Sequence, residues 1–236
     1  AETLKTQLQD QNSLFEQALQ NVPFSQFIDL PDMTDPALLN ASSIIPNLSL
    51  CGYILGQTEF RKFCILRGLN ITLTSGKSDL TPILLACYAI DLAKEDFFLR
   101  AYEVAQLAIK ISDCYPNCQE LSNTNNILAG LVIYLKSPYQ EAITLHQQGY
   151  RLGIENGELA RAALNFCNML FLKVSQGENL KAIQEHAEQV TFFVDNKAIF
   201  LPMPLLIQKL THALIQPNPS CQEALSDSQF EGEYLK

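Results

Sequence analysis

Three segments of the chain begin helices with similar residues, and the intervals between them constrain the fold more than any other feature. They read AYEVA at 101–105, YQEAI at 139–143 and NLKAI at 179–183. Successive segments start about 40 residues apart, room for two helices and their turns. A helix pair of that size cannot bury its apolar face alone, so it must stack on neighbouring pairs. The sequence therefore predicts an all-α fold: a right-handed α-solenoid of antiparallel helix hairpins, tetratricopeptide-like, with units of about 40 residues.

The composition agrees with packed helices and restricts the class of partner. Of 236 residues, 47% are hydrophobic and only 17% are charged, against the usual quarter. The net charge of −9 argues against nucleic acid, because phosphate contacts need clustered Lys and Arg. It also disfavours an anionic membrane surface. The predicted partner is protein, either flanking domains or a client segment.

Proline and glycine positions divide the chain into predicted helices. An N-terminal helix is expected over 2–21. The segment 22–46 contains four prolines, which predicts extended chain with short helices. Further helices are expected near 47–56, 59–74, 81–93, 96–112, 119–135, 138–154, 157–175, 179–195, 203–215 and 219–226. Residues 1–46 thus form a helix and a proline-broken entry segment, and residues 47–236 form the helical array, which is expected to be continuous with that segment as one domain.

Buried faces follow from the same helical spacing. Apolar residues at 101, 104, 105, 108 and 111 form one predicted core stripe. Phe97, Phe98, Phe166 and Phe171 also fit helical stripes, so they are predicted to be core residues.

The location of the chain is predicted from its apolar runs and its cysteines. The uncharged apolar runs 83–90 and 127–135 are far shorter than the roughly 20 residues that a membrane span needs. The first 20 residues are polar and charged, so no signal peptide is expected. The missing initial Met indicates a piece excised from a longer protein. Seven scattered cysteines are interpreted as reduced thiols used as small core residues, which predicts a cytoplasmic protein.

Two short motifs are candidates for chemistry. Gly-Lys-Ser at 76–78 ends like a phosphate-binding loop, but that loop needs a glycine five residues earlier, where Ile71 stands, and a preceding strand. A solvated turn between helices is predicted instead. Cys114 and Cys118 lack two further nearby zinc ligands, so a loop with two free thiols is predicted.

The three histidines, His146, His186 and His212, each fall on a predicted helix. No HExxH motif is present, and no nucleophile is set beside any of them. They are predicted to be structural residues at the surface or half-buried. The sequence accordingly predicts no catalytic, cofactor-binding or metal site.

Several segments resemble a family of very large bacterial signalling kinases. LPDMTDP at 30–36 resembles its LP-x-MTDP signature, and GYRLGIENGEL at 149–159 resembles its Gly-Asp turn, with Glu158 where the acidic residue is usually Asp. ALSDSQFEGEYL at 224–235 is similar to the start of its next helical unit. In that family, serine/threonine kinase and AAA-type ATPase domains precede a tetratricopeptide-like region, and a GAF sensor domain and a histidine kinase follow it. The resemblance implies that this chain is part of the helical region and carries none of the parent's catalytic motifs.

The predicted function is a non-catalytic protein-interaction and signal-relay module, without enzyme activity of its own. The alternative is a helical domain that senses a small molecule or a peptide in pockets rich in Phe and Tyr. That alternative predicts a deep, enclosed pocket.

Overall fold

The computed structural model describes residues 2–197, 199 and 201–215, and these residues are mainly α-helical. The α-helices are α1 Glu2–Asn21, α2 Pro36–Ile54, α3 Thr58–Ser75, α4 Thr81–Lys94, α5 Phe98–Ser112, α6 Leu121–Leu131, α7 Tyr139–Glu155, α8 Leu159–Ser175, α9 Leu180–Asn196 and α10 Met203–Ile215. Two 3₁₀ helices span Phe24–Asp29 and Ile133–Leu135. Within this part of the chain the β pairing is one isolated bridge, between Asp32 and Lys77. The all-α prediction is confirmed.

Most predicted helices coincide with observed ones to within a few residues. The predicted helix over 2–21 is α1, and each prediction from 59–74 to 203–215 has a counterpart. The predicted helix over 119–135 is α6 followed by a 3₁₀ turn. The helix predicted over 219–226 lies outside the described residues.

The prediction of extended chain with short helices is confirmed over residues 22–35. It is wrong from residue 36 onwards, because α2 begins at Pro36 and continues through Pro46. Asp35 caps this helix: its Oδ1 accepts from Ala37 N at 2.8 Å, and proline at the first helical position lacks an N–H that would have no partner there. Pro46 removes one interior hydrogen bond without ending the helix. By length and composition α2 is apolar enough to cross a membrane, and 22% of that stretch is buried. This apolar run is absent from the sequence prediction because Pro46 divides it.

The described helices belong to two compact units, Ala1–Lys136 and Ser137–Lys236. In the first unit, α2–α3 and α4–α5 form antiparallel hairpins, α1 packs along α3, and α4 contacts both α3 and α6. The predicted stripe on α5 is confirmed, since all five of its side chains are fully buried.

The second unit is built from the hairpins α7–α8 and α9–α10, with α8 packed against α9. Its core is apolar and includes Ile143, Cys167, Leu170, Ile183 and Ile207. Phe166 and Phe171, predicted as core, are partly buried and pack against this cluster.

Three hairpin turns share one backbone geometry. In the α2–α3, α4–α5 and α7–α8 turns, the second residue after the first helix is left-handed: Gly56 has φ 66°, Asp96 has φ 65° and Gly157 has φ 76°. The next residue, with φ between −87° and −80°, caps the following helix. One left-handed residue reverses the chain and satisfies carbonyls at the helix end. Asp96 is the position where a non-glycine residue takes this conformation.

Candidate functional site

The Gly-Lys-Ser motif at 76–78 and the segment 30–33 form one structural feature. Lys77 N donates to Pro31 O at 2.8 Å, and Met33 N donates to Lys77 O at 2.7 Å. Gly76 has φ 102° and ψ 166°, a conformation essentially restricted to glycine. A Cβ on Gly76 would lie 2.4 Å from Pro31 O. Residues 30–33, called the strap below, therefore lie directly against the α3–α4 turn.

Side chains reinforce the strap. Lys77 Nζ donates to Leu30 O and lies 3.5 Å from Asp32 Oδ1. Tyr115 OH, from the turn after α5, donates to the same carboxylate at 2.5 Å. The Tyr115 hydrogen bond, with help from the Lys77 charge, lowers the pKa of Asp32. The prediction of a solvated turn at 76–78 is wrong, because Lys77 is 13% exposed and engaged by the strap.

The two cysteines of the turn after α5 are free thiols. Cys118 is buried and its Sγ donates to Asp79 O at 3.2 Å, whereas Cys114 is exposed. Burial raises the pKa of Cys118 to about 11. The described part of the chain contains no group of three or more His, Cys, Asp or Glu side chains that could hold a metal ion.

His146 is fully buried, so its prediction as a surface or half-buried residue is wrong. Its Nδ1 lies 3.0 Å from Asn165 Oδ1, while its Nε2 has no hydrogen-bond partner. Burial lowers the pKa of His146 to about 4, so the ring is neutral at neutral pH. His186 is half-buried with its ring edge-on to Phe166, and His212 is exposed.

A candidate binding surface is a cleft in the first unit, between α1 and the α3–α5 region. It is open to solvent and has a volume of about 490 Å³. Its rim carries two salt bridges, Lys62 with Glu95 and Arg100 with Glu16 at 3.9 Å. Because each basic side chain on the rim is paired with an acidic one, the rim offers both donors and acceptors without a strong net field.

Tyr88 lines the cleft and packs against the fully buried ring of Phe15 and the ring of Phe24. The Tyr88 ring centroid lies 5.3 Å from that of Phe15 and 6.0 Å from that of Phe24. The Arg100 guanidinium lies 5.6 Å from the centroid of Phe24, within cation–π range. Burial raises the pKa of Tyr88 to about 12, so its hydroxyl stays protonated at neutral pH.

At the start of α5 the cleft meets three consecutive exposed apolar residues. Phe97 is 56% exposed, Phe98 41% and Leu99 58%. They line a second open cavity of about 440 Å³, which shares Phe97 and Arg100 with the first. The two cavities together are called the groove. The prediction that Phe97 and Phe98 are core residues is wrong. The helical spacing of these residues in the sequence does not reveal that their side chains are exposed.

Beneath the groove, α3 is joined to α4 by a buried ion pair. Arg61 donates to the Asp91 carboxylate, and the two side chains are 6% and 8% exposed. A second Arg61 nitrogen donates to Cys87 O at 3.1 Å. Because the pair joins α3 to α4, it holds two walls of the groove in position. Removing one partner of such a pair would leave an uncompensated buried charge.

Fold and site together define an all-helical protein with an open groove of mixed charge and aromatic character. No family model, curated protein or solved structure matches the chain. The function is therefore inferred from the geometry of the groove and from the sequence itself.

Proposed function

We propose that the chain is a non-catalytic protein-interaction and signal-relay module whose groove binds a segment of another protein. The observation that carries this proposal is the exposure of Phe97, Phe98 and Leu99 beside a rim of paired charges. An apolar patch rimmed by polar groups is typical of a protein-binding surface.

The groove suits a peptide segment with an apolar anchor. The side chains at 97–99 and the rings of Tyr88 and Phe24 would contact that anchor. The paired charges on the rim would donate hydrogen bonds to its flanks and accept hydrogen bonds from them. Clusters of aromatic residues near the centre of an interface contribute most of its binding energy. The openness of both cavities fits a segment laid across the surface better than an enclosed small molecule.

The relay part of the proposal concerns the helix hairpins. We propose that they are units of a right-handed tetratricopeptide-like solenoid. The shared geometry of three hairpin turns and the recurring interval of about 40 residues support this arrangement. The sequence resemblance further supports a cytoplasmic role beside the kinase, ATPase and sensor domains of a signalling protein, where a bound segment would change how adjacent hairpins pack.

Selection from a random-peptide phage library, followed by calorimetry on synthetic peptides, tests the groove. We expect enriched peptides with an apolar anchor that bind wild type, lose at least tenfold in affinity on Leu99→Glu, about 1.4 kcal/mol, and bind Leu50→Glu normally. Leu50 is an exposed residue of α2 outside the groove, so it is the matched control. Failure to enrich any peptide, or equal binding to both variants, would contradict the proposal.

A further inference from the structure

A row of exposed apolar residues follows α2 along its whole length. The row consists of Ala37, Ala41, Ile44, Leu48, Cys51 and Leu55, all of them exposed. The intervals alternate between four and three residues, which is the a/d spacing of a coiled coil. Ile44 is 56% exposed and Leu55 69%. This row is called the α2 seam.

The seam is not the face that α2 buries in its own unit. α2 packs on α3 through small or short side chains around Ile45, namely Ser42, Ser49 and Gly52. At about 100° per residue, the seam lies roughly a quarter-turn around the helix from that buried face. The larger apolar residues of α2 thus point to solvent, the reverse of the usual arrangement in a surface helix.

We propose that the seam pairs with α2 of a second copy of the chain, antiparallel about a two-fold axis that crosses the seam between Ile44 and Leu48. Ile44 then faces the partner's Leu48, Ala41 faces the partner's Cys51, and Ala37 faces the partner's Leu55. The two central layers then each pair Ile with Leu, and the two end layers each pair Ala with Leu, so both ends of the pair are filled equally. A parallel pair would set Ala37 against the partner's Ala37 and Leu55 against the partner's Leu55, leaving a void at one end.

Charge also favours a second copy as the occupant. Neither α2 nor the turn after it contains a charged residue, although the whole chain has a net charge of −9. Two acidic copies repel each other least where a neutral surface of one meets a neutral surface of the other. A membrane is a weaker match, because the same stretch lacks Lys and Arg to contact anionic headgroups. A two-fold pair also makes every contact twice.

Sedimentation of the whole chain over a concentration series tests the pairing. Leu48 is 41% exposed and Leu50 37%, but two residues along a helix place them on different sides, and only Leu48 is in the seam. We expect wild type and Leu50→Glu to dimerise alike, and Leu48→Glu to raise the dimer dissociation constant at least tenfold. Circular dichroism checks that both variants remain helical. A monomeric wild type, or a folded Leu48→Glu chain that dimerises normally, would overturn the proposal.

Cysteine cross-linking tests the direction of the pair. Under mild oxidation, Ala41→Cys should form a disulfide with the partner's Cys51, and adding Cys51→Ser should abolish it. In the antiparallel pair the two Cys51 residues lie about 15 Å apart along the axis, too far for a disulfide. A Cys51 cross-link in wild type would show a parallel pair and refute the arrangement.

Two further measurements distinguish a dimer seam from a membrane-binding surface and from the groove. Co-sedimentation of wild type with phosphatidylcholine vesicles, lost in Leu48→Glu, would assign the seam to a membrane and overturn the dimer. The seam lies outside the groove, so Leu48→Glu should bind groove peptides as wild type does. Failure of the dimer is therefore distinguishable from failure of the proposed peptide binding.

Discussion

Gly76→Ala should destabilise the first unit strongly, because two separate effects coincide at that position. The backbone at Gly76, with φ 102° and ψ 166°, lies in a region where a side chain costs about 1–3 kcal/mol. The added Cβ would also meet Pro31 O at 2.4 Å. Relief of that clash must displace the strap and weaken its two backbone hydrogen bonds, each contributing about 0.5–1.5 kcal/mol.

The combined loss in the free energy of unfolding is about 3 kcal/mol. Gly56→Ala is the matched control, because Gly56 also has a positive φ, 66°, but a Cβ there meets nothing within 4 Å. Gly56→Ala should lower the free energy of unfolding only by the strain of a left-handed alanine, about 1–2 kcal/mol.

Urea denaturation and calorimetry of both variants measure the difference. For a chain of this size, 1 kcal/mol lowers the melting temperature by about 2–4 °C, so Gly76→Ala should melt roughly 6–12 °C below wild type. A Gly76→Ala chain no less stable than Gly56→Ala would refute the claim that the strap constrains the α3–α4 turn.

Three further predictions concern buried or strained groups. The pKa of His146 is lowered to about 4, so the folded chain binds a proton on this side chain more weakly than the unfolded chain does. The free energy of unfolding should therefore be highest above about pH 6.5 and fall by about 3 kcal/mol as the pH is lowered towards 4. Urea denaturation at a series of pH values measures this loss, which should be absent from His146→Gln. Asp91→Ala should lower the free energy of unfolding by about 3–5 kcal/mol, whereas the double variant Arg61→Met/Asp91→Leu should recover most of that loss. Urea denaturation that finds the single and the double variant equally unstable would contradict this prediction. Asp96→Gly should raise stability by about 0.5–1 kcal/mol by removing left-handed strain, seen as a higher melting temperature.

The helices were predictable because their signals are local. The spacing of apolar residues on α5 and the glycines between helices depend on neighbours within a few positions, and these determine where a helix begins and ends. Pro46 shows where local signals fail. A proline inside a helix is a breaking signal by local rules, yet α2 continues through it because packing against α3 and the Asp35 cap stabilise the turns on either side.

The candidate site was much less predictable. Phe97 and Phe98 fit a helical stripe, but the left-handed Asp96 sets where that helix begins and leaves them exposed. Lys77 stands out in the sequence only as part of an incomplete phosphate-binding motif, since its partners in the strap lie more than 40 residues earlier. The burial of His146 depends on how α7 packs on α8. These features depend on contacts between distant segments, which periodicity in one sequence does not encode.

The strap has a consequence for how the first unit opens. The hydrogen bonds between Pro31, Met33 and Lys77 close a long chain loop around the α2–α3 hairpin. The folded hairpin brings the two ends of that loop together and so reduces the entropy lost on closing it. Met33 N and Lys77 N should therefore exchange with deuterium at one common rate, in a single opening event that leaves the interior amides of α3 protected. The unit would thus have a hierarchy of stability, with the strap opening well before the hairpin it encloses.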